Sequence, residues 1–161
     1  MKMTNITLEA LEYILPPYII TSEQIEAQLS ETMQRLKLPR GILKSLTGIG
    51  ERRAWSLEKK PSDAATLAAR KVIQKSGIDP SEIGCIINTS VCRDYIEPSV
   101  SCIVHGNLKL SQNCLNFDVS NACLGFFNAI ELISMMIEHK KIKYGLIVNG
   151  DLVYGHDGFA G

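Results

Sequence analysis

This sequence has no excess of positive or negative charge. Its 161 residues carry 17 Lys+Arg against 17 Asp+Glu, a formal net charge of zero. A protein that grips nucleic acid by neutralising phosphates needs a basic surface, so no nucleic-acid partner is expected. Long apolar runs are missing too. None approaches the roughly 18–20 residues that cross a bilayer, so no membrane span is expected. The opening MKMTNITLEALEYILPP has one lysine after the initiator and an apolar stretch broken by Glu9 and Glu12, which makes a poor signal peptide. Histidine is scarce, with only His105, His139 and His156. The sequence holds no GxxxxGK[ST], no GxGxxG after a strand, no HExxH and no CxxC, so none of the phosphate-loop, dinucleotide, zincin or redox templates applies. Five cysteines, an odd number without paired spacing, read as free thiols in a reducing cytoplasm. The spacings of Cys85, Cys92 and Cys102 fit no zinc template, and these three read as packing residues. No metal and no redox cofactor is implied.

What is present is an ordinary globular composition, 45% hydrophobic and 21% charged, over a length that suits one domain with a real core. There is no internal repeat and no low-complexity tract. Residues 4–14 read as an extended segment that ends at Leu15-Pro16-Pro17, since proline interrupts a ladder. Thr21 or Ser22 looks like an N-cap, and Ile25, Leu29, Met33 and Leu36 carry the spacing of one amphipathic helix. A helical turn is expected over 42–46, a turn over 47–50 and an extended edge over 51–55. Pro61-Ser62-Asp63 opens a helix that Gly77 closes. The β-branched run 83–91, the segment 115–119 and the segment 144–149 read as buried strands. Helices over 98–108 and 122–139 separate them. A β-α-β-α-β order with short links predicts an α/β layer, a parallel or mixed sheet with covering helices. That domain is expected to span 1–151, with 152–161 as a divergent glycine-rich tail.

The feature that bears chemistry is Asp118-Val119-Ser120-Asn121-Ala122-Cys123-Leu124-Gly125-Phe126. A strand delivers a tight turn, and the turn delivers a cysteine to a helix start. Free backbone N–H groups there point at a thiolate, and the helix dipole favours negative charge. Such surroundings make a cysteine a nucleophile. Small Ala122 and Gly125 leave room for a substrate. The competing reading is a buried cysteine that packs the junction.

The segment NACLGF, with NFDVS before it and YGLIVNGD after its helix, resembles the nucleophile region of the thiolase superfamily, in particular its 3-oxoacyl-acyl-carrier-protein synthase III group. Leu15-Pro16 with Thr21, Thr47-Gly48-Ile49 through Glu51-Arg52-Arg53, the helix from 62, and Ile87-Asn88-Thr89-Ser90 follow in the same order. The match reaches nearly to Asp151. The stretch Cys92-Arg93-Asp94-Tyr95-Ile96-Glu97-Pro98-Ser99, with Leu15-Pro16-Pro17 and Glu51-Arg52-Arg53-Ala54-Trp55, resembles the acyl-CoA condensing enzymes of olefin biosynthesis.

This resemblance implies a half of a thiolase-like fold and an acyltransferase that performs a Claisen condensation through a cysteine acyl-enzyme. Cys123 is the implied nucleophile. Glu97 matches the glutamate that in the olefin branch acts in the partner subunit's active site; its competing role is to cap the helix expected from Pro98. Asn121, Ala122, Arg52 and Arg53 are the implied substrate-binding residues, with solvation as the alternative for the two arginines and for Lys44. The implied substrates are acyl-CoA or acyl-carrier protein, and the implied assembly is a homodimer. Two departures stand out. Ile42 and Leu46 occupy positions where CoA-primed relatives carry Trp and Arg. The family's assisting His and Asn belong to a second half that these residues do not include. His105, His139 and His156 are not expected to pair with Cys123. A second reading therefore stays open: a truncated, catalytically incompetent fragment, or a module that binds acyl thioesters without turnover.

Overall fold

A computed structural model gives the structure of the chain and describes residues 6–152. It divides into two compact units: Leu15–Glu58, and Lys59–Leu152 together with the described residues up to Ile14. The expected tail, from residue 153 on, and His156 with it, lie outside the described residues.

The smaller unit contains β1 (Tyr18–Thr21), α1 (Ser22–Gln28), α2 (Ser30–Arg35), α3 (Ile42–Thr47) and β2 (Glu51–Ala54). Strands β1 and β2 pair antiparallel, Tyr18 opposite Ala54 and Thr21 opposite Glu51. Thr21 begins α1 with a capping box: its hydroxyl accepts the Gln24 N–H, and the Gln24 side chain accepts the Thr21 N–H, which satisfies two donors at once. The single helix expected over this stretch breaks at Leu29, whose ψ of 14° leaves the helical range. The bonds from Leu29 N–H to the Ile25 carbonyl and from Met33 N–H to the Leu29 carbonyl still bridge the break, so the apolar period continues across it. Buried Glu26 accepts the Gly41 and Leu43 amides at 2.6 and 2.8 Å and thereby caps α3.

The larger unit contains α4 (Pro61–Ser76), β3 (Ile83–Asn88), α5 (Val100–Leu108), β4 (Leu115–Asp118), α6 (Gly125–Glu138) and β5 (Tyr144–Val148). The strands form a parallel sheet in the order β4-β3-β5. Alternate residues of β3 face opposite layers. Ile86 packs with Ala65, Ala69, Val100 and Val104 of α4 and α5. Cys85 and Ile87 pack with Ala129 and Ile133 of α6. The expected α/β layer is thus present, with a parallel sheet between helices.

Several local expectations shift. Residues 6–17 form no strand, and β1 follows the two prolines. The segment before them is anchored by side chains instead of a ladder. Glu12 meets Lys71 at 2.8 Å and Lys75 at 2.7 Å, and the same lysines donate to the Tyr13 and Leu11 carbonyls. Hydrogen bonds first from Lys71 and then from Lys75 hold the Glu12 carboxyl down to about 2. This anchor is therefore in force above the ordinary carboxylate range and is lost as the pH falls through about 2. Strand β3 ends at Asn88, short of 91, because Asn88 turns its side-chain oxygen onto the Ser90 amide and hydroxyl. The helix expected from Pro98 starts at Val100, with Ser99 as its cap. The helix expected from Ala122 opens as a 3-10 turn, Ala122–Leu124, before α6.

Candidate functional site

Strand β4 hands the chain at Asp118 to the turn that carries Cys123. Val119 N–H donates to the Asn88 carbonyl at 2.8 Å, which fixes the exit from the sheet. Ala122 then adopts φ 43°, the left-handed region that costs a residue with a Cβ about 1–3 kcal/mol and that clusters at functional turns. Gly125 lets α6 start close to the sheet: a Cβ there would lie 3.0 Å from the Val119 carbonyl oxygen and 3.2 Å from that of Thr89. Asn121 Nδ2 donates to Asn128 Oδ1 at 2.8 Å, so a residue in the first turn of α6 braces the turn. Sequence reading missed Asn128; the only signal for it was a second amide seven positions on.

Cys123 sits in the 3-10 turn and is exposed. Its backbone N–H finds no acceptor among the described residues, whereas that of Leu124 bonds the Asn121 carbonyl. An exposed thiol beside a free amide at a helix start is what the nucleophile reading requires, and among the described residues Cys123 is not buried in the junction. Of the other cysteines, Cys85 and Cys114 are buried. Burial pushes the Cys85 thiol up to about 11, with Cys114 adding to the rise, and raises Cys114 as well, so both are poor nucleophiles at neutral pH. Cys85 packs as expected, and Cys92 is half-buried. Cys102 is not the packing residue the sequence suggested: it stands exposed on α5.

Glu97 lies in the loop that links β3 to α5. Two carboxylates tie this loop to distant parts of the chain, one from beyond β5 and one from the loop itself. Asp151 accepts the Val91 and Cys92 amides at 2.8 and 3.0 Å. Asp94 accepts the Ser62 amide at 2.9 Å and the Ser62 hydroxyl. Lys60 donates to the Tyr95 hydroxyl at 2.7 Å. Beyond these ties Ile96 is 86% exposed, and Glu97 is exposed with no partner among the described residues. Capping of α5, the competing role for Glu97, is performed by other groups: Ser99 Oγ accepts the Cys102 amide, and Asp118 accepts those of Val100 and Ser101.

Asn121, Ala122 and Cys123 are consecutive in one turn, and Glu97 shares their compact unit. Arg52 and Arg53 stand on β2 in the other unit. Arg52 donates to Ser22 Oγ at 3.0 Å, while Arg53 is exposed. No histidine among the described residues serves Cys123. His105 engages the Ser111 carbonyl beyond the C-terminal end of α5. His139 caps the far end of α6 and engages the Met135 carbonyl, about 24 Å along the chain's helical path from Cys123 at 1.5 Å per residue. No helix among the described residues is long and apolar enough to cross a membrane.

No protein-family model matches the chain. It is 43% identical over 157 residues to the acyl-CoA:acyl-CoA alkyltransferase of Xanthomonas campestris, covering 96% of this chain and 46% of that protein. It is 30% identical over 151 residues to the beta-ketoacyl-[acyl-carrier-protein] synthase III of Clostridium beijerinckii, covering 94% of this chain and 44% of that protein. The cerulenin-bound crystal structure of Xanthomonas campestris OleA matches with a TM-score of 0.90 and 42% identity over 93% of this chain and 44% of that one. The chain spans about half the length of the curated relatives it matches. Solved OleA variants alter one glutamate and one cysteine that stand 26 positions apart, the separation of Glu97 and Cys123 here. Another alters a histidine more than a hundred residues past that cysteine, further than this chain extends beyond Cys123.

Proposed function

The chain belongs to the thiolase-like family of synthase III and acyl-CoA condensing enzymes, and from that premise we propose that it forms one half of an acyltransferase joining two acyl thioesters by Claisen condensation. The observation that carries this reading is the exposed Cys123 thiol beside its own unpaired amide at the start of α6. The Cys123 thiolate attacks the carbonyl of an acyl-CoA or acyl-carrier-protein thioester, the carrier thiol leaves, and the acyl group stays on Sγ. The Cys123 N–H donates to the oxygen that gains charge in this step, and a second donor comes from a second half. A second acyl thioester gives up an α-proton to a general base, and the carbanion so formed attacks the acyl carbonyl. Cys123 departs as thiolate, and a 3-oxoacyl product forms. Asn121 and Ala122 shape the approach to Sγ, and Arg52 and Arg53 meet the phosphates of the carrier. The setting is the cytoplasm and the assembly a homodimer.

Glu97 serves the second acyl group, in the site of the partner copy. Its support is threefold: the carboxylate is exposed, it has no partner among the described residues, and the capping work it might do falls to Ser99 and Asp118. In a protein that joins this chain to a second half, Glu97→Ala should leave the rate of Cys123 acylation within about twofold and lower carbon–carbon bond formation by about 10²–10⁴, the range of a lost acid–base group. Stopped acylation and product assays separate the two steps. Equal condensation rates in mutant and wild type would leave Glu97 without a catalytic role.

A further inference from the structure

Asp118 closes β4 five residues before Cys123, and its carboxylate leaves the sheet to reach another element. Val100 N–H donates to Oδ2 at 3.1 Å and Ser101 N–H to Oδ1 at 2.9 Å. The first four amides of a helix lack partners within it. In α5 three of the four, those of Val100, Ser101 and Cys102, find acceptors from two sources. Ser99 takes the Cys102 amide with its hydroxyl, and Asp118 takes the other two. A local residue therefore caps one amide of the helix start, and a carboxylate from the neighbouring strand caps two. The link spans two segments with functional residues. Glu97 precedes the two bonded amides by three and four residues, and Cys123 follows the carboxylate by five. The turn beyond Asp118 is held at once by the Val119 amide on the Asn88 carbonyl.

We propose that Asp118 is a positioning residue, which sets the loop bearing Glu97 and the turn bearing Cys123 in register with one another. This rests on the reading of Cys123 as the acylated nucleophile. Charge-assisted bonds to a carboxylate are stronger than neutral ones, and both oxygens are used. In Asp118→Asn one of the two bonds is replaced by a donor facing a donor. Misplacement of a reacting group by about 1 Å can cost up to 10²-fold in rate, so a loosened turn should slow acylation by about 10-fold.

The test compares Asp118→Asn with Ser99→Ala in the 161-residue chain, because Ser99→Ala weakens the same helix start without touching the link. Cys123 acylation by acyl-CoA is followed by intact mass, and amide hydrogen exchange is followed over 96–103 and 119–124. Asp118→Asn should slow acylation about 10-fold and raise exchange several-fold in both segments. Ser99→Ala should raise exchange in the first segment alone and leave acylation within about twofold. Equal effects of the two substitutions on acylation, or exchange confined to 96–103 in Asp118→Asn, would overturn the proposal and reduce Asp118 to a cap. Should Asp118→Asn fail to fold, Asp118→Glu keeps the charge and moves it by one methylene; unchanged acylation and exchange in that variant would overturn the proposal equally. Absence of Cys123 acylation in the unaltered chain would contradict the nucleophile reading, and the exchange data would still decide the role of Asp118.

Discussion

The 161 residues alone are expected to give at most one slow acylation of Cys123 and no sustained condensation. The proposed nucleophile and one proposed oxyanion donor stand just before α6. Among the described residues no histidine stands ready to carry a proton for it. His105 is committed to the Ser111 carbonyl, and His139 stands at the opposite end of α6. Acid–base assistance contributes about 10²–10⁴-fold, and a missing oxyanion donor costs about 10²–10³ more. The losses compound, so turnover should fall at least four orders of magnitude below that of a two-half relative. Apolar side chains near the functional residues stand in solvent as well, Leu124 at 58% and Phe127 at 65% exposure, and such surface favours association. Incubation with acyl-CoA and measurement of released thiol decides the matter. Thiol release that continues past one equivalent and exceeds that of a Cys123→Ala control would contradict the expectation.

Gly150→Ala should destabilise the chain by about 3 kcal/mol or more, the upper part of the range for overpacking. Gly150 follows β5 where the chain runs against the start of α4. A Cβ there would lie 2.1 Å from the Pro61 carbonyl oxygen and 2.8 Å from its carbon. These are backbone atoms, fixed at the first residue of a 16-residue helix, and they cannot step aside as a side chain would. The same shift would pull the Gly150 amide from Ser90 Oγ, a bond of 2.6 Å. With total stabilities of about 5–15 kcal/mol, such a loss should lower the melting temperature by about 6–12 °C. Gly106→Ala is the control: it lies within α5 with nothing within 4 Å of the added methyl, and should be neutral or stabilising by up to about 1 kcal/mol. Equal melting temperatures for the two variants would show that the contact at Pro61 does not limit the fold.

The parts of the molecule that were legible in the sequence are those governed by local signals. Pro61 and Gly77 bracket α4, the β-branched run gives β3, and the strand-to-helix junction places Cys123 at an exposed turn. The parts that were not legible depend on distant partners. Residues 6–14 alternate like a strand, but their anchors are lysines on α4, nearly sixty residues on. Glu97 looked like a cap because a carboxylate beside a helix start is favourable anywhere; that Asp118 already holds the place depends on the pairing of β4 with β3. The loop over 91–99 carries no period at all, and its shape comes from Asp94, Asp118 and Asp151, each bonding backbone far away in sequence. Cys102 reads as a core residue by type, yet its position on α5 turns it to solvent.

The nucleophile is the centre of this account, and site-resolved acylation tests it most directly. The chain would be incubated with an acyl-CoA near neutral pH, then analysed by intact mass and by peptide mapping. The account predicts a single acyl group on the peptide containing Cys123, retained in Cys102→Ala and absent in Cys123→Ala. An acyl group on Cys92 or Cys102, or labelling that persists undiminished in Cys123→Ala, would contradict it.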